Sequence, residues 1–78
     1  MDLNKFCEGK IISWDGIKGY IDVFIIPPLS KPLFFNLNHY SSEIEPKKGD
    51  LVKFIRKGDR ADHVILYLRS KENEREDI

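Results

Sequence analysis

Seventy-eight residues fit one small domain and make a second hydrophobic core unexpected. At 41% hydrophobic, 33% charged and 12% aromatic, the chain is too apolar for a disordered segment and too polar for a membrane protein. Thirteen Lys and Arg balance thirteen Asp and Glu, which excludes a histone-like, charge-driven mode of binding but not a nucleic-acid partner.

The neutral total is unevenly spread. Residues 71–78 carry two positive and four negative charges, so residues 1–70 carry eleven positive and nine negative: a slightly basic body and an acidic, solvated tail. No charge-free run comes near the roughly 18–20 residues that span a bilayer, and Val23 to Ser30 is broken by two prolines besides, so no membrane partner is expected. Charges at Asp2, Lys5, Glu8, Lys10, Asp15 and Lys18 leave no apolar centre for a secretory signal. With a single cysteine, Cys7, unable to form an internal disulfide, this predicts a cytoplasmic location.

In chain order, residues 1–8 read as a lead-in and 9–70 as the domain. Gly9 to Trp14 is an isoleucine-rich strand, Asp15-Gly16 a turn, and Lys18 to Ile26 a second strand that Pro27-Pro28 ends by removing two backbone donors. Leu33 to Leu37 follows as a third strand. Asn38 to Lys48, rich in Ser, Glu, Asn and Pro, is a long connection with room for one helical turn. Leu51 to Arg56, a turn at Gly58-Asp59-Arg60, and Ala61 to Leu68 complete five strands. No helical periodicity competes with this alternation. An all-β, five-stranded antiparallel Greek-key barrel of the OB type is predicted, whose closure protects its strand edges.

The spacing resembles the cold-shock domain family. Its first strands typically read Gly-x-Val-Lys-Trp-Phe, three residues, then Lys-Gly-Phe-Gly-Phe-Ile; here Gly9-Lys10-Ile11-Ile12-Ser13-Trp14 and Asp15-Gly16-Ile17 precede Lys18-Gly19-Tyr20-Ile21-Asp22-Val23. Leu33-Phe34-Phe35-Asn36 is similar to the family's Val-Phe-Val-His, Gly49 to Phe54 to its Gly-x-x-Val-x-Phe, and Ala61 to Val64 to its Ala-x-x-Val. The departures fall mainly on the binding signature. Ser13 stands in place of the tryptophan, Ile21 and Asp22 in place of a glycine and an aromatic, and Asn36 in place of the histidine.

The resemblance implies binding of single-stranded RNA or DNA, which is held by flat side chains that stack on bases and cations that follow phosphates. Strand parity puts Tyr20 with Asp22 on one face and Phe34 with Asn36 on another; the family pattern turns both outward and sends Phe35 inward. Trp14 joins them if a bulge turns it toward solvent; as a packing residue of the core or rim it would serve equally well. Lys10 and Lys18 lie near this patch, and Lys53, Arg56, Lys57 and Arg60 could supply a phosphate track. Asn36 can read a base edge, whereas Asp22 repels phosphate unless it accepts from an exocyclic amine. The candidate nucleic-acid-binding residues are thus Lys10, Trp14, Lys18, Tyr20, Phe34 and Asn36. The alternative is a protein-interaction or self-associating module on the same barrel, since exposed aromatics serve either purpose. Cys7, His39 and His63 follow no catalytic or zinc-ligand pattern, so no enzyme activity, metal or cofactor is expected.

Overall fold

The computed structural model describes residues 6–69 of the chain. Five strands, β1 (Phe6–Trp14), β2 (Lys18–Val23), β3 (Leu33–Asn36), β4 (Leu51–Lys57) and β5 (Arg60–Leu68), close into a barrel in the order β1-β2-β3-β5-β4. Each strand is present as predicted in type, and one 3-10 turn at Leu37–His39 occupies the start of the long connection. Among the described residues no helix is long and apolar enough to cross a membrane. The acidic segment 71–78 lies outside the described residues.

The expectation of a wholly antiparallel sheet needs correction. β1–β2, β2–β3, β1–β4 and β4–β5 are antiparallel, but β3 meets β5 in parallel, at Phe34↔Arg60. Closing an odd-numbered ring of strands forces one such seam: alternating directions around five strands must repeat once. Phe34 N–H donates to the Asp59 carbonyl there at 3.1 Å.

Strand ends move too. β1 starts at Phe6 rather than Gly9, because Phe6, Cys7 and Glu8 of the supposed lead-in pair with Ile55, Phe54 and Lys53 of β4. β2 stops at Val23, three residues early; Phe24 N–H turns to the Glu8 carbonyl at 2.9 Å and Ile25 N–H to the Val23 carbonyl at 3.0 Å ahead of the two prolines. β3 ends at Asn36, whose Oδ1 accepts from Asn38 N–H at 2.8 Å while its own N–H donates to His39 Nδ1 at 3.2 Å, a reciprocal cap that starts the 3-10 turn.

Alternation fills the interior with Ile11, Ile21, Val23, Leu33, Phe35, Val52, Phe54, Ala61 and Val64, all at most 5% exposed. Cys7, Trp14, Leu29 and Tyr40 pack against them. The long connection is fastened down at several points. Ser41 N–H donates to the Val64 carbonyl at 2.7 Å, and Leu66 N–H to Ser42 Oγ at 2.7 Å. Asp50, 1% exposed, accepts from Arg69 Nε at 2.9 Å and Nη2 at 2.8 Å, and Arg69 Nη2 also reaches the Glu45 carbonyl at 2.8 Å. This fork-on-carboxylate contact ties the end of β5 to the start of β4 and holds the Arg69 guanidinium above its usual pKa.

Candidate nucleic-acid interface

Register brings the outward side chains of β2 and β3 together. Tyr20 stands opposite Phe34 and Lys18 opposite Asn36. Tyr20, 41% exposed, meets Phe34 edge-to-face at 6.0 Å between ring centroids, and Phe34 also meets His39 of the 3-10 turn edge-to-face at 6.2 Å. Phe34 is half-buried while its neighbour Phe35 is fully buried, which matches the parity expected of the pair.

Trp14 departs from the expected arrangement. A bulge does interrupt β1, the register passing from Ile11↔Ile21 to Ser13↔Tyr20 with Ile12 left over. Its effect is opposite to the one anticipated. The extra residue moves Ser13 onto the outward parity beside Tyr20 and Trp14 onto the inward parity beside Gly19. Trp14 stacks on Phe35 at 5.2 Å and 18°, half-buried, with its indole N–H on Glu45 Oε2 at 3.4 Å. Gly19 makes the space: a Cβ there would overlap the Ser13 carbonyl and approach the Trp14 ring to 3.0 Å.

The cations are brought only partly to this face. Lys18 Nζ is bound by Asp15 Oδ2 at 2.9 Å, while Asp15 Oδ1 accepts from the Ile17 and Lys18 amides, each at 2.9 Å. The Lys18 amide and ammonium, with the Ile17 amide, hold the exposed Asp15 carboxyl well below the usual carboxylate range, and Asp15 in turn raises the Lys18 ammonium. Lys10 stands opposite Asp22, a pair of opposite charges one step along β2 from the aromatic row. Asn36 has its Oδ1 committed to Asn38, leaving its amide NH2 as the group free to meet a base.

Beyond Phe34 a groove of about 380 Å³ opens between the loop after β2 and the β4–β5 turn. Tyr20 and Phe34 line it together with Leu29, Pro32, Arg56 and Asp59. Ser30 and Lys31 contribute to the loop side. Of the four cations proposed as a phosphate track, Arg56 lines this groove and Arg60 adjoins it opposite Phe34. Lys53 lies elsewhere, its ammonium 4.5 Å above the Tyr67 ring beside Phe6 and Ile65. Lys31 was missed in the sequence because it sits between two prolines in a loop whose path no periodicity predicts.

Next to the groove, Arg60 Nη2 lies 3.6 Å from Asp62 Oδ2, and His63 donates its backbone N–H to Asp62 Oδ1 at 2.9 Å. Burial pushes the Asp62 carboxyl up, but the His63 amide and the His63 and Arg60 side chains outweigh it and hold the group below its ordinary value. His63 adopts a positive φ of 51° at a β5 bulge, where the pairing passes from Ile55↔Asp62 to Lys53↔Ile65. Among the described residues no three His, Cys, Asp or Glu side chains gather into a metal-binding group. No protein-family model matches the chain, and no curated protein matches it.

Proposed function

We propose that the chain is a divergent cold-shock-like barrel of the OB type that binds single-stranded RNA or DNA on the Tyr20–Phe34 face. The observation that carries this reading is the pairing of two outward aromatic rings, 6.0 Å apart, along the floor of a groove bordered by Lys31 and Arg56. Exposed rings accept bases by stacking, worth about 1–3 kcal/mol per base, and the bordering cations are placed to follow the phosphates. Lys18, Asn36, Lys10 and Arg60 flank the rings and add polar and charged contacts. Trp14 acts indirectly, by backing Phe35 beneath the face. The neutral chain makes stacking the larger contribution and charge the smaller one.

Fluorescence anisotropy of a labelled pyrimidine-rich strand of about eight nucleotides at low salt tests this. Phe34→Ala and Tyr20→Ala are each expected to weaken binding by about 1–3 kcal/mol, and Trp14→Phe to leave it unchanged. The affinity should fall with salt at about −0.7 in log–log slope per phosphate contact. A strand that gives no anisotropy change at any protein concentration overturns the reading.

A second reading, a protein-interaction or self-associating barrel, draws on a different observation. The loop after β2 presents Phe24, Ile25 and Ile26 to solvent, Ile26 at 97% exposure. A rise in sedimentation mass with concentration, abolished by Ile26→Asp, would favour it.

A further inference from the structure

The acidic side chains around the candidate interface differ in what holds them. Asp15 is bound by Lys18, Asp62 faces Arg60 and His63, and Asp22 stands opposite Lys10. Asp59 lines the groove itself and, among the described residues, has no ion-pair partner. A lone carboxylate beside the path of a polyanion opposes binding unless it accepts hydrogen bonds from the ligand. Its place is fixed, because the Asp59 carbonyl accepts from Phe34 N–H at 3.1 Å and so holds the turn against the aromatic floor.

We propose that this groove is a guanine-selective subsite for one base of a bound single strand, with the Asp59 carboxylate accepting from guanine N1–H and the exocyclic N2 amine. The proposal rests on the single-strand reading above. An ionised carboxylate is an acceptor at both oxygens, and it is matched by two adjacent donors. Guanine alone of the four bases offers such a pair on its Watson–Crick edge. Adenine and cytosine each set one amine beside a ring nitrogen that the carboxylate repels, and uracil sets one N–H between two carbonyl oxygens. Arg56 suits the other edge of the same base. Its Nε is spent on the Gly58 carbonyl at 3.0 Å, which leaves its Nη groups as donors for the O6 and N7 acceptors of guanine. Phe34 and Tyr20 supply the stacking surface, and Lys31 on the opposite wall is placed for the adjoining phosphate.

The test uses the full chain and labelled uridine-rich strands of about eight nucleotides that differ at one central position: guanine, inosine, adenine or uracil. Inosine lacks only the N2 amine and so isolates the second hydrogen bond to Asp59. The guanine strand is expected to bind about tenfold more tightly than the inosine strand, the effect of one hydrogen bond to a charged group. Asp59→Asn, an isosteric change on an exposed turn, should erase that difference while leaving the all-uridine strand bound at least as tightly. Equal affinity for guanine and inosine strands in the unmodified protein, with the uridine strand still bound, overturns the subsite and leaves the single-strand reading standing. Equal weakening of every strand by Asp59→Asn also overturns it, as does free GMP binding more tightly than the guanine strand. Failure of every strand to bind removes both the subsite and the reading it rests on.

Discussion

Two rows of three rings cross β3, one on each side of the sheet, and they differ in what they leave available. Trp14, Phe35 and Tyr40 form the inner row, with centroids 5.2 and 6.3 Å apart, packed on or within the core. Tyr20, Phe34 and His39 form the outer row, at 6.0 and 6.2 Å and edge-to-face, with Tyr20 open to solvent. Adjacent residues Phe34 and Phe35 belong to different rows because strand side chains alternate. Residue type therefore does not separate an inward ring from an outward one in this barrel. Parity does, and one inserted residue in β1 reassigns Trp14 from the outer row to the inner one.

The largest expected effect comes from emptying the inner row. Phe35 is fully buried and contacts rings on both sides, so Phe35→Ala should cost about 3–5 kcal/mol through lost transfer energy and an unfilled cavity. For a domain this small that is most of the stability, and urea denaturation should show a large fall in midpoint or no folded baseline. Phe34→Ala, one residue away and half-buried, should lose far less stability and act chiefly on strand binding. Equal destabilisation by the two substitutions would break the division between the rows.

How much of this was readable beforehand follows from which interactions are local. The five strands, the turns at Asp15-Gly16 and Gly58-Asp59, and the assignment of Phe34 outward and Phe35 inward all rest on alternation and turn chemistry within a few residues. The Trp14 orientation does not. It depends on a bulge at Ile12 that a run of β-branched residues does not announce, and on the absence of a side chain at Gly19 across the hairpin. Asp50 reads as half of a Gly-Asp turn, yet it is buried under Arg69, 19 residues later in the chain. The pairing of Phe6, Cys7 and Glu8 with β4 likewise comes from a distant strand, since Glu8 and Gly9 weaken any local strand signal. The parallel seam between β3 and β5 is a property of closure as a whole, and it is what brings the Asp59 turn up to Phe34 and so forms one wall of the groove.

An intermediate effect is expected at Gly19, which sits where the two rows part. A methyl group there meets the Ser13 carbonyl, a backbone atom that cannot swing aside, as well as the Trp14 ring. Gly19→Ala should cost about 1–3 kcal/mol as overpacking and lift Trp14 off Phe35. Trp14 is the only tryptophan, so its emission should shift to longer wavelength as the indole gains water. An unshifted spectrum with unchanged stability would mean that the bulge, and not the missing side chain, is sufficient to keep Trp14 inward.

The smallest effect belongs to the outer row's charged neighbour. Asp15 is exposed, so its ion pair with Lys18 is screened by solvent and contributes little to stability. Its direction with pH is nevertheless fixed. The folded carboxyl titrates below its ordinary value of 3.8, so its stabilisation is fully present above that value and is lost as pH falls through the lower folded one. Asp15→Asn keeps an oxygen to accept from the Ile17 and Lys18 amides but removes the carboxylate charge that holds Lys18 Nζ. The small gap in thermal midpoint between the two proteins should therefore stay level from neutral pH down to about 4 and close on further acidification. The same substitution frees the Lys18 ammonium beside Tyr20 and Asn36. If Lys18 serves the outer face, strand binding at neutral pH should tighten slightly in Asp15→Asn even as the fold loses a little stability; weaker binding would take Lys18 out of the interface.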